Sequence, residues 1–75
     1  MNFLDQLERL ERLHLLIKRR ATGTPKQLAH LLNVSERRIY QLLQILKDLE
    51  APIRFDRERN SYYYFSSFSF NFKIG

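Results

Sequence analysis

Arg37, Tyr40, Gln41 and Gln44 recur at offsets of three, four and seven residues. On a helix those offsets place all four on one face. The opposite face of the same stretch holds Ile39, Leu42, Leu43, Leu46 and Leu49. Arginine can bond guanine O6 and N7 bidentately, glutamine can pair with adenine, and tyrosine can pack on a thymine methyl or donate to a phosphate. Such a face has the chemistry to meet base edges, with Arg38 and Lys47 at its margins.

Catalytic chemistry finds no comparable set. Cysteine is absent, which excludes thiol catalysis, a thiolate metal site and a disulfide framework. Glu11-x-x-His14 occurs once, whereas a carboxylate-bridged metal centre needs two such pairs on facing helices. His14 therefore reads as a partly buried structural histidine, and His30 as an exposed one. No serine–histidine–acid or paired-carboxylate arrangement is visible, and so short a chain has little room for a substrate pocket. The expectation is a protein without catalytic residues, metal or cofactor, and not an enzyme.

The chain has 75 residues, enough for one core and too few for two. Apolar residues make up 44% and charged residues 28%, which suits a folded domain rather than a disordered segment. The longest apolar run before the tail is Leu15-Leu16-Ile17, far short of a membrane span. The N-terminus lacks the basic start and apolar stretch of a signal peptide, so a cytoplasmic location without membrane contact is expected.

Charge is uneven. The formal net charge is +5, yet residues 1–17 set Arg9 and Arg12 against Asp5, Glu8 and Glu11. Residues 18–38 set Lys18, Arg19, Arg20, Lys26, Arg37 and Arg38 against Glu36 alone. That concentration suits a polyanionic partner or a solvated basic surface.

Three helices must position these side chains. Phe3, Leu7, Leu10, His14 and Ile17 mark one face of a helix over 3–20, which Ala21-Thr22-Gly23 ends. Thr24, Pro25 and Gln27 spell an N-cap, a first helical position and a capping box for a helix over 24–32. Its expected buried stripe is Leu28, Leu31 and Leu32. Asn33 tolerates the left-handed backbone that stops helices, and Ser35 can cap a third helix over 35–50. Pro52 prevents continuation and biases Ala51 toward extended geometry.

Beyond Pro52 the period changes to two. Residues 53–65 read as a hairpin with a polar tip, Arg57-Glu58-Arg59-Asn60. Phe68, Phe70, Phe72 and Ile74 then alternate with polar residues, which predicts a further strand over 67–74. With apolar side chains on one face, that strand either folds back on the hairpin or pairs with a second copy of the chain. A homodimer through Phe68, Phe70, Phe72 and Ile74 is the favoured expectation.

The fold class expected is α+β, mainly α. Its middle pair of helices has the outline of a helix-turn-helix. Ala29 is small where the first helix of such a motif must admit the second. Asn33, four residues on, stands where the turn needs a left-handed backbone. Leu28, Leu32, Val34, Ile39 and Leu42 fill the five positions kept apolar between the helices. A plain helical hairpin accounts for the leucines but not for the short turn between Ala29 and Ser35.

Residues 24–64 resemble the winged helix-turn-helix at the N-terminus of DeoR-type and WYL-containing bacterial regulators. The similarity is carried by Gln27-Leu28-Ala29, by Leu32 through Tyr40, and by Ala51 through Tyr62 with its aspartate–arginine tip. Glu36, Arg38 and Gln41 depart from that family, which often has arginine, threonine and a basic residue there.

The resemblance implies a three-helix winged domain binding double-stranded DNA as a transcription regulator. Its recognition helix would span 35–50 and sit in the major groove. Arg37, Arg38, Tyr40, Gln41, Gln44 and Lys47 are then the candidate contacts from that helix. Thr24, Lys26 and the amide end of helix 24–32 are candidates for phosphate, and Ser35 is a further candidate DNA contact. Arg57 and Arg59 at the tip of the 53–65 wing would reach backbone or minor groove. No small-molecule ligand is expected. Two alternatives stay open: a protein–protein interaction module on the same scaffold, and a small architectural or accessory DNA-binding protein of a mobile element.

Overall fold

The computed structural model describes residues 2–69. In chain order it has helix α1 (Phe3–Lys18), helix α2 (Pro25–Leu32), helix α3 (Glu36–Asp48) and strands β1 (Ile53–Asp56) and β2 (Ser61–Tyr64). The two strands pair antiparallel, Ile53 opposite Tyr64 and Asp56 opposite Ser61. This is a mainly helical α+β arrangement.

Each helix begins on a side-chain cap. The Asn2 carboxamide accepts from the Asp5 N–H of α1 at 2.9 Å. Thr24 and Gln27 form a reciprocal capping box on α2, and the Ser35 hydroxyl accepts from the Arg38 N–H of α3 at 3.1 Å. These bonds satisfy amides that would otherwise lack a helical partner. Gly23 is required before the box. Its φ is +70°, and a Cβ there would come within 2.5 Å of the Gln27 side-chain oxygen.

All three helices end in one way, through a residue of positive φ. Arg20 (φ 55°), Asn33 (56°) and Glu50 (71°) take the left-handed conformation. In each case the next residue's N–H reaches back to a helical carbonyl: Ala21 to Leu16, Val34 to Ala29, and Ala51 to Leu46. This is the Schellman pattern. Left-handed Arg20 stops α1 at Lys18, two residues short of the expected end. Glu50 does the same to α3.

The core gathers Leu10, Leu13 and Ile17 of α1, Leu28, Ala29 and Leu32 of α2, and Ile39, Leu42, Leu43 and Leu46 of α3, with Ala51. Leu7 and Leu49, expected on buried faces, are only partly buried, and two further expected core positions are exposed. Phe3 is 65% exposed, and Leu13 takes a central place instead, because Leu13 stands three and four residues from Leu10 and Ile17 on the helix. Leu31 is 51% exposed and Ala29 is buried. A 100° step per residue carries Leu31 to the edge of the stripe set by Leu28 and Leu32, while Ala29 is small enough to sit under α3.

The hairpin packs through Ile53, Tyr62 and Tyr64, and the ladder runs one bond further, from Phe65 N–H to Pro52 C=O at 2.9 Å. At the tip the Asp56 carboxylate accepts from the Glu58 and Arg59 amides at 2.9 and 3.2 Å, and left-handed Asn60 closes the turn. The strand expected over 67–74 is not present at 67–69, which carry no regular structure. Phe68 instead turns onto the rings of His14 and Tyr64, at centroid distances of 5.8 and 5.1 Å. Residues 70–74, with Phe70, Phe72 and Ile74, lie outside the described residues.

Candidate nucleic-acid interface

The site is built on α3. Its buried row, Ile39, Leu42, Leu43 and Leu46, fixes the rotation of the helix about its axis. That rotation leaves Arg37, Tyr40, Gln41 and Gln44 exposed. The turn before α3 is as short as its residues permit: Asn33 stops α2, only Val34 intervenes, and Ser35 caps the next helix.

The four side chains of the outward row differ in freedom. Arg37 makes no hydrogen bond or ion pair among the described residues, so its full guanidinium fork faces solvent. Tyr40 stands near the Tyr62 phenol, whose pKa is pushed up chiefly by burial and further by that neighbour. Gln44 donates its amide to Asp48 at 2.9 Å, one turn on. Gln41 accepts through Oε1 from Arg38 Nη1 at 3.0 Å.

Arg38 is only half-exposed and is turned onto its own chain. Its Nη2 donates to Gln6 Oε1 of α1 at 2.7 Å, while Nη1 holds Gln41. Gln6 was not among the residues singled out from the sequence. A separation of 32 positions leaves no local signal by which it could have been found.

Of the other expected contacts, Lys26 and Lys47 are exposed. Thr24 already uses its hydroxyl and its N–H in the capping box, and the Ser35 hydroxyl serves the α3 amide end. Arg57 and Arg59 stand exposed at the hairpin tip. Arg59 lies 4.0 Å from Asp56, a separation that contributes little for exposed groups. Phe68, expected at a dimer contact, is half-buried against its own chain.

Two connections behind the site join distant parts of the chain. His14 is 7% exposed, and its Nδ1 lies 2.8 Å from the Tyr64 hydroxyl. Burial, then the Lys18 charge, lowers the His14 pKa against an opposing pull from Glu11. Burial also raises that of Tyr64. The second connection is a buried hydroxyl pair, Thr22 and Ser61, 3.1 Å apart. Arg20 and Arg54 cover aromatic faces of the hairpin instead of joining a free basic patch, at 4.7 Å from Tyr63 and 4.2 Å from Phe65.

Among the described residues no three histidine, aspartate or glutamate side chains group to hold a metal, and no helix is long and apolar enough to cross a membrane. Comparison with protein-family models, with curated proteins and with solved structures yields no match.

Proposed function

We propose that this chain is a DNA-binding transcription regulator of the winged helix-turn-helix type, working in the cytoplasm. In this reading α3 enters the major groove, and the β1–β2 hairpin lies along backbone or minor groove. The observation that carries the reading is the division of α3 itself. One side is buried without remainder, and the other presents an arginine, a tyrosine and two glutamines in a single row. Those are side chains whose hydrogen-bonding groups match base edges. Lys26, Lys47, Arg57 and Arg59 add cations that would position the domain on phosphates without reading sequence.

The test is a titration of fluorescent duplexes by the full chain at several salt concentrations. Binding that weakens linearly in log salt reports phosphate neutralisation. A regulator also prefers some duplexes to others, whereas an architectural protein of the same surface binds them alike. Affinity that ignores salt, or no binding at all, removes the proposal.

A second reading is favoured by one surface. Exposed Leu31 joins Ala21, Ala29 and Val34 along a shallow groove of about 760 Å³ beside α2. An apolar groove of that kind suits a protein partner. An interaction module would leave duplex DNA untouched, and Leu31→Asp would abolish its partner binding.

A further inference from the structure

The Arg38–Gln41 pair bears on which base α3 reads, an inference that rests on the DNA reading above. A glutamine free on both sides pairs bidentately with adenine, accepting from N6 and donating to N7. Gln41 is not free on both sides. Its Oε1 is held by Arg38 Nη1 at 3.0 Å, and Arg38 is anchored in turn on Gln6 Oε1 at 2.7 Å. A cationic donor makes a strong bond to a carbonyl oxygen. The arginine therefore fixes which end of the amide is spent inside the protein and which end faces outward.

We infer that Arg38 is a positioning residue: it occupies one lone pair of Gln41 Oε1 and turns that oxygen toward itself, so that the outward end of Gln41 is a hydrogen-bond donor. The Nε2 amide of Gln41 then seeks an acceptor in the major groove. Guanine supplies O6 and N7 and thymine supplies O4, while the groove edge of cytosine offers a donor and no acceptor. The base facing Gln41 is thus guanine or thymine, adenine ranks lower because its amino group is left unmatched, and cytosine is rejected. Gln6, on a different helix, sets the chemical sense of a base contact it never touches.

The experiment is selection of bound duplexes from a random pool by the full chain and three variants, each checked for helical content by circular dichroism. Gln41→Ala flattens one column of the selected site and so identifies it, and an abasic residue placed on either strand there shows which base Gln41 meets, the strand on which the column is read. In that column the wild type returns guanine or thymine, with cytosine disfavoured by roughly tenfold. Arg38→Met keeps the aliphatic stem and releases Oε1, and the column moves to adenine. Gln41→Glu retains a partner for Arg38, and with it the tie to Gln6. It exchanges the amide donor for oxygen and moves the column to cytosine or adenine, which decides the matter should Arg38→Met fail to fold.

A wild-type column rich in cytosine overturns the inference. So do a Gln41→Ala selection in which no column flattens and a Gln41→Glu column unchanged from wild type. A folded Arg38→Met chain that returns the wild-type column does the same. A folded wild-type chain that enriches no duplex removes the DNA reading itself, an outcome told apart by the lack of any selected column.

Discussion

Thr22 is hydrogen-bonded to Ser61 across 39 positions of sequence. The Thr22 N–H donates to Ser61 Oγ at 3.0 Å, and the Tyr62 N–H donates to Thr22 Oγ1 at 2.9 Å. Both side chains are fully buried. The pair fastens the loop after α1 to the first residue of β2. Thr22→Val keeps the shape and leaves the Tyr62 amide without an acceptor, so it should cost about 1–3 kcal/mol. Thr22→Ser keeps the acceptor and should cost less. Urea denaturation of the three proteins measures the difference, and equal midpoints for Val and wild type would show that the bonds contribute nothing.

Left-handed Glu50 offers a gain in stability. A side chain in that conformation costs roughly 1–2 kcal/mol, while glycine's extra freedom in the unfolded chain takes part of the relief back. Glu50→Gly should therefore stabilise by about 0.5–1 kcal/mol. Arg20 is the poorer test, because Arg20→Gly also removes the guanidinium from Tyr63. Asn33→Ala should move the other way by about 1 kcal/mol, since alanine lacks asparagine's tolerance for positive φ. Thermal melts showing both substitutions shift in the same direction would refute the account.

Stability should depend on pH through His14. Its pKa in the folded chain lies below the ordinary histidine value of 6.5, so between the two values the unfolded chain binds more protons. Stability then is full above about 6.5 and falls as pH drops toward the folded value. His14→Gln, which cannot titrate, should flatten the profile between pH 7.5 and 5. A wild-type midpoint that stays constant over that range would contradict the burial of a neutral imidazole. Tyr64 works in the opposite sense: its raised pKa gives stability that is present below 10 and lost on further alkalinisation.

On the proposed DNA-binding reading, Arg37→Ala should weaken binding to a preferred duplex by about 1–3 kcal/mol and relax preference at one position. Lys26→Ala should instead weaken all duplexes alike and shallow the salt slope by about one. Anisotropy titrations at three salt concentrations separate these outcomes. Unchanged affinity for Arg37→Ala would take that residue out of the interface.

Much of this architecture can be read from local signals. Thr24, Pro25 and Gln27 announce α2 because capping chemistry acts within one turn, and Asn33 announces its end for the same reason. The buried face of α3 follows from helical period alone, and so does the exposure of Arg37, Tyr40, Gln41 and Gln44. Sequence falls silent where a residue works against its type. Arg20 and Glu50 hold positive φ although neither is a usual choice, so the residue pattern alone carries α1 and α3 two residues too far. Leu31 looked like core because one leucine resembles another until the helix axis is fixed by Ala29. The partners of Arg38, His14 and Thr22 lie 32 to 50 positions away, and only the folded chain brings them together. The tail's alternation promised a strand from residue 67, but Phe68 finds His14 and Tyr64 first.

The hairpin's side-chain bonds run to His14 on α1 and to Thr22 just after it. Among the described residues none runs to Arg37 or Gln44. The hairpin's anchorage and the exposed row of α3 are thereby mechanically separate: Arg37 and Gln44 can be exchanged without loosening what holds the sheet in place. A library randomised at those two codons, proline excluded, should yield folded members throughout, making the domain a convenient chassis for reprogrammed surfaces.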